Sequence, residues 1–173
     1  RAGIGGLVGI LDQGEIRDSY AKGDVSGTDT DVNGIEHVGG LVGGAESSSI
    51  INNCYAEGNV SGFNHIGGLV GRTYGQISNS YALGTVENRE SAAGDESRIG
   101  GLAGTLFGTV KNSYALGEVI NHIGGGVHTR VGGLIGVGEY TAEVENCYAA
   151  GPVTDQSAAD GEDDRIGGLV GSA

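Results

Sequence analysis

The sequence predicts an all-β chain wound as a parallel β-solenoid (β-helix), about five coils of 28–35 residues plus a partial sixth. Three observations lead there. The string Gly-Gly-Leu-Val-Gly, or a near copy, recurs six times, each time after Ile or Val, at Ile4, Val38, Ile66, Ile99, Val131 and Ile166. A second string, apolar-x-Asn-Ser/Cys-Tyr-Ala-x-Gly-x-Val, lies inside each of the five complete repeats. The residues of that second string alternate by twos. Self-similarity at a fixed period marks a repeat architecture, and a period of two marks a half-buried strand.

The first string is short, apolar and bounded by glycine. A helix is disfavoured, because each internal Gly costs about 1 kcal/mol against Ala. The second string begins at Ile16 (with Asp18 in place of the Asn), Ile51, Ile77, Val110 and Val144. In Cys54–Val60 the Cys, Ala, Gly and Val share one parity, while Tyr55, Glu57 and Asn59 share the other. The first parity is nearly constant between copies (Ser19, Ala21, Gly23, Val25). The second varies (Lys22, Glu57, Leu83, Leu116, Ala150). A lone strand cannot bury such a face, but stacked coils can. Two or three short strands per coil are expected, right-handed by the rule for parallel crossovers.

Chain length varies at one corner. Leu7 to Tyr20 is 13 residues, Leu41 to Tyr55 is 14 and Leu69 to Tyr81 is 12. The excess falls after the Val, at Thr28–His37, Glu87–Arg98, Ile120–Arg130 and Thr154–Arg165, whereas Ser61–His65 is short. One variable corner on a constant frame is what stacked coils require, and it makes residues 1–173 a single repeat domain.

Ile66-Gly67-Gly68-Leu69-Val70-Gly71, followed by Ile77-Ser78-Asn79-Ser80-Tyr81-Ala82-Leu83-Gly84-Thr85-Val86, resembles the GLUG repeat. That glycine-rich motif belongs to large secreted and surface-attached bacterial proteins, among them IgA-specific peptidases and adhesin-like chains. The resemblance covers essentially the whole chain. It implies an extracellular or cell-surface setting and an accessory scaffold role. The catalytic residues of IgA peptidases have no counterpart here.

Composition narrows the function. The formal net charge is −13, with 9 Lys plus Arg against 22 Asp plus Glu, which argues against nucleic acid and anionic membranes. Gly is 37 of 173 with a single Pro, which excludes collagen. No apolar run is long enough to insert in a membrane. Arg1 opens neither with Met nor with a signal-peptide pattern, so the chain reads as a mature or excised piece of a longer one.

Stacking turns the repeat into columns about 4.8 Å apart. Tyr20, Tyr55, Tyr81, Tyr114 and Tyr148 form one. By parity they face outward or sit at a corner, as stacked supports or as an aromatic strip for sugar rings. Asn53, Asn79, Asn112 and Asn146, with Asp18, read as a structural ladder of left-handed turns bonding to the next coil's backbone. His37, His65, Arg98, Arg130 and Arg165 form a basic column at the base of acidic loops. Asp29-Thr30-Asp31-Val32-Asn33-Gly34 matches the opening of a calcium loop, with Glu36 as a substitute for the acid missing at Gly40. Ca²⁺ is therefore a candidate ligand of Asp29, Asp31, Asn33 and Glu36. Cys54 and Cys147 share a column three coils apart, roughly 14 Å at the strand spacing. That is too far for a disulfide, so two free, buried thiols are expected.

No enzyme motif stands in the sequence: no G-x-S-x-G, no H-E-x-x-H and no phosphate loop, and the glycines follow the solenoid period. The expectation is a non-enzymatic structural repeat, an adhesin-type stalk or a self-stacking filament. Its partner is itself, end to end, or flanking repeats. The alternative is a polysaccharide- or host-surface-binding module using the Tyr column for surface glycans. An ice-binding face is disfavoured because the Thr residues share no column.

Overall fold

The structure, a computed structural model, describes residues 2–27, 36–89, 96–122, 128–156 and 164–173. Twenty-five strands and no helix occur among them. Every pairing is parallel, and each coil pairs with the next in chain order. The chain is a parallel β-solenoid.

Four sheets run along the stack. The first is built from Ala2–Gly5, Glu36–Gly39, His65–Gly67, Ser97–Gly100, Thr129–Gly132 and Arg165–Gly167. The second opens with two long strands, Val8–Arg17 and Val42–Asn52. In later coils each long strand is split in two, as in Val70–Thr73 and Gln76–Ser78. The third holds the Tyr-Ala pairs from Tyr20–Ala21 to Tyr148–Ala149, and the fourth runs from Val25–Ser26 to Val153–Asp155. A complete coil thus carries four or five strand segments, more than the two or three expected. The extra breaks fall at Gly-Gly and at Ala-x-Gly, where the chain bends within a stretch that reads as one strand.

The Gly-Gly-Leu turn divides the interior into two cores. On one side Val38, Ile66, Ile99 and Val131 pack on Val60, Val86 and Val119. On the other, Leu41, Leu69, Leu102 and Leu134 pack with Ile51, Ile77 and Val110 and with Ala56, Ala82 and Ala115. Fully burying one such aliphatic side chain contributes about 1.5–3 kcal/mol. Between the cores the chain folds back on itself so tightly that only glycine fits. A Cβ at Gly71 would lie 2.5 Å from the Val38 nitrogen and 2.7 Å from the Gly43 oxygen. A Cβ at Gly68 would lie 2.8 Å from the Ala82 methyl on the opposite wall. The constant small residues of both strings are two halves of one contact.

The short corner Gly62–His65 closes in two residues. At the other corners the flanking groups form a polar plug. Asn88 donates to Asn121 (2.6 Å), Asn121 donates to Asp155 (2.8 Å), and the Thr129 hydroxyl donates to Asp164 (2.7 Å). Asn88, Asn121 and Thr129 are buried, and buried polar side chains need such partners.

Candidate functional site

The second string ends each pass of the second sheet at a left-handed residue. Asp18, Asn53, Asn79, Asn112 and Asn146 have φ of 49°, 55°, 51°, 50° and 53°. Asn and Asp tolerate this region best among residues with a Cβ. The amides bond sideways rather than to the next backbone as expected: Asn112 to Asn79 (3.5 Å), Asn146 to Asn112 (3.3 Å) and Asn53 to Asp18 along the column, and Asn79 to the neighbouring Asn52 (2.9 Å). The next residue locks the corner by donating to the carbonyl two positions back, as Ser80 does to Ser78 (2.7 Å) and Ser113 to Lys111 (2.7 Å). Cys54 and Cys147 do the same with sulfur, to Asn52 (3.2 Å) and Glu145 (3.1 Å). Both thiols are free. Cys54 is buried, and desolvation pushes its thiol above the ordinary 9.0. Cys147 is only half-buried, because the adjoining Tyr148–Ala149 strand is an edge of the third sheet.

Each corner delivers its Tyr to the same place. The rings of Tyr20, Tyr55, Tyr81, Tyr114 and Tyr148 stack at centroid spacings of 4.9, 5.0, 4.9 and 5.0 Å, with interplanar angles of 10° or less. The ladder faces outward, and its end members are the most open, Tyr20 at 53 % and Tyr148 at 52 %. The inner rings give both faces to their neighbours, so they present edges. Burial first, and then Tyr81 and Tyr148, hold the Tyr114 hydroxyl above its usual range.

The basic column stands in register across the first sheet, His37 beside His65, then Arg98, Arg130 and Arg165. From His65 onward it lines one wall of a groove whose other wall is the outer face of the second sheet. Contacts cross between them: His65 Nδ1 lies 2.7 Å from Thr105 Oγ1, Arg98 bonds Glu139 (3.0 Å), and Arg165 bonds Ser172 (3.0 Å). Arg98 also pairs with Glu96 (2.8 Å), which pairs in turn with Arg130. The His37 and His65 rings meet edge to face at 5.0 Å. Among the described residues no three His, Cys, Asp or Glu side chains gather to hold a metal ion. Of the calcium candidates, Asp29, Asp31 and Asn33 lie outside the described residues. Glu36 is buried, its carboxylate in the space left by Gly27.

The second wall was not foreseen. Arg72 lies over the rings of Tyr74 (4.6 Å) and Phe107 (5.1 Å), which stack on each other at 4.3 Å. Glu139 follows them in the same column, since Tyr74, Phe107 and Glu139 each donate to the equivalent carbonyl one coil earlier. Tyr140 is 96 % exposed at φ 43°. The available signal was negative: Arg72 stands where other coils carry Gly44 and Thr105, and Tyr140 sits in two extra residues between Leu134 and Tyr148.

Stacked coils with inward Ile, Leu and Val, a glycine fold-back and a left-handed Asn corner define a glycine-rich repeat solenoid. The family model for the GLUG motif matches residues 1–26, 34–61, 64–87 and 128–154, and the chain belongs to that family. The coil from Ile99 to Val119 lies outside the matched segments, yet it pairs in register on both sides. Among solved structures, the chain is similar to a Bacteroides ovatus protein provisionally described as an immunoglobulin A1 protease. The two share 24 % identity at a TM-score of 0.68, over 98 % of this chain and 56 % of that one. The chain therefore spans little more than half the length of that protein. No curated protein matches the sequence significantly.

Proposed function

We propose that the chain is a non-enzymatic structural repeat of a secreted or cell-surface protein, an adhesin-type stalk that lengthens by adding coils. The observation that carries this reading is the uninterrupted in-register stacking of the coils, from Ile4 through Val38, Ile66, Ile99 and Val131 to Ile166. Leu41, Leu69, Leu102 and Leu134 are wholly buried between neighbouring coils. Each strand edge is a template for the strand of the coil beside it. The work of the fold is then mechanical: each coil holds the next through backbone bonds, such as Leu69 to Leu102 (2.9 Å) and Leu102 to Leu134 (2.8 Å).

Glycan binding by the Tyr column is the alternative. It falls to Tyr20 and Tyr148, because the inner rings stack on one another. Light scattering and negative-stain microscopy across concentration, with and without Ca²⁺, test the reading. Association into unbranched rods is expected as concentration rises. A monomer at every concentration removes self-stacking and leaves only flanking repeats as the partner. A size change on Ca²⁺ removal makes the Asp29–Asn33 loop a structural cation site.

A further inference from the structure

We infer that the outer face of the third sheet binds rigid, planar, rod-shaped aromatic cations, held lengthwise in a furrow beside the Tyr ladder. The inference is independent of the stalk reading. It also differs from glycan stacking on the end rings, because it uses the edges of the inner ones. Two outward columns bound the furrow. One is the ladder, Tyr20, Tyr55, Tyr81, Tyr114 and Tyr148. The other lies two residues further along each strand and holds Lys22, Glu57, Leu83, Leu116 and Ala150. Backbone pairing keeps it in step with the first, Glu57 donating to Ala21 (2.9 Å), Leu83 to Ala56 (3.0 Å) and Leu116 to Ala82 (3.0 Å). Leu83 and Leu116 are 38 % and 42 % exposed, although coils lie on both sides of each. Packing does not demand an apolar residue there, since the same column carries the Lys22–Glu57 ion pair in the first two coils. Two neighbouring leucines left in solvent beside a row of rings form a contiguous apolar patch, the kind of surface that marks a binding face.

The furrow selects by shape. Side chains stand roughly perpendicular to a sheet, and residues two apart on a strand are separated by about 7 Å. A flat ring standing between the columns therefore lies about 3.5 Å from each wall, the optimal carbon–carbon separation. A puckered sugar ring is too thick for that gap. On one side the face of the ligand meets the edges of Tyr55, Tyr81 and Tyr114, the edge-to-face arrangement that aromatic pairs favour. On the other it meets the methyls of Leu83 and Leu116. The furrow is straight, because the coils stack in register and neighbouring rings lie within 10° of parallel. Five rings at their spacing make a line roughly 20 Å long, which suits a linear molecule of linked rings. Charge sets the sign of the ligand: a formal net charge of −13 draws a cation and repels an anion.

Thioflavin T, a rod-shaped aromatic cation, is the probe, with Congo red, a rod that carries sulfonates, and cellopentaose as controls. Each is titrated against the whole chain by calorimetry, with dye fluorescence and light scattering followed on the same samples. One thioflavin T is expected to bind per chain without a change in particle size, at least tenfold more tightly than either control. Leu83→Lys with Leu116→Lys lines one wall with cations and is expected to weaken binding at least tenfold, with far-UV dichroism and melting unchanged. Ser47→Lys with Ser48→Lys makes the same change of charge at exposed positions of the second sheet, and is expected to leave binding within twofold of the parent. If the leucine variant fails to fold, Leu83→Asn with Leu116→Asn, which removes the apolar wall without adding charge, decides in its place. The inference is overturned if thioflavin T does not bind, if it binds only where light scattering shows associated rods, or if a control binds as tightly. It is overturned equally if the leucine variant binds like the parent, or if the serine variant loses as much, which would reduce the attraction to net charge alone.

Discussion

The corner residue sets the path of each coil. At Asn79, φ of 51° places a side chain where most residues meet their own carbonyl, and the amide is held by Asn52. Asn79→Ala is expected to destabilise the fold by about 1–2 kcal/mol, and Asn79→Gly by less, read as shifts of the urea midpoint. Cys54 and Cys147 occupy the adjacent position and make the same corner bond. Alkylation of the native protein should label Cys147 well before Cys54. Burial raises the Cys54 thiol, so the folded state keeps a proton that the unfolded chain releases above 9.0. Stability should therefore fall as pH rises past that value and on through the folded one. Cys54→Ser, the residue that three other coils use, should shift that fall to higher pH.

At the scale of the element, the glycines of the first string are fixed by contact. Gly71→Ala drives a methyl into the Val38 and Gly43 backbone, which cannot move aside. It is expected to abolish cooperative unfolding or lower the melting temperature severely. The Tyr ladder is a separate device. Tyr81→Ala breaks two stacked pairs, each worth about 0.5–1.5 kcal/mol beyond burial, and should cost their sum in a denaturant titration. The repeat made most of this legible. The columns of Tyr, Asn, Cys/Ser and basic residues follow from alignment alone, because in-register stacking copies sequence position into space. The groove's second wall was not legible. Arg72, Tyr74, Phe107 and Tyr140 interrupt the repeat, and their meeting with the basic column depends on how sharply Gly-Gly folds the first sheet against the second.

The whole molecule is a stack of coils held in register. Interior glycines equivalent to Gly23 meet the preceding coil's backbone and those equivalent to Gly168 the following coil's, but at these two positions an added Cβ finds open space. The double variant Gly23→Ala with Gly168→Ala should therefore melt like the parent, yet fail to associate at concentrations where the parent forms rods. Sedimentation of the two side by side checks this. Unchanged association would show that self-contact, where it occurs, does not extend the stack.

The sequence by itself determined the solenoid, the coil boundaries, the inward parity of Ala56 and Val60, and the columns, since each is a property of periodicity. Only the tertiary structure decided that the interior is two cores, that the inner Tyr rings spend their faces on one another, and that Arg98 and Arg130 meet Glu96 and Glu139 in a groove between two sheets. Those features depend on the angle at which glycine lets the chain turn back, and no spacing along the chain records that angle.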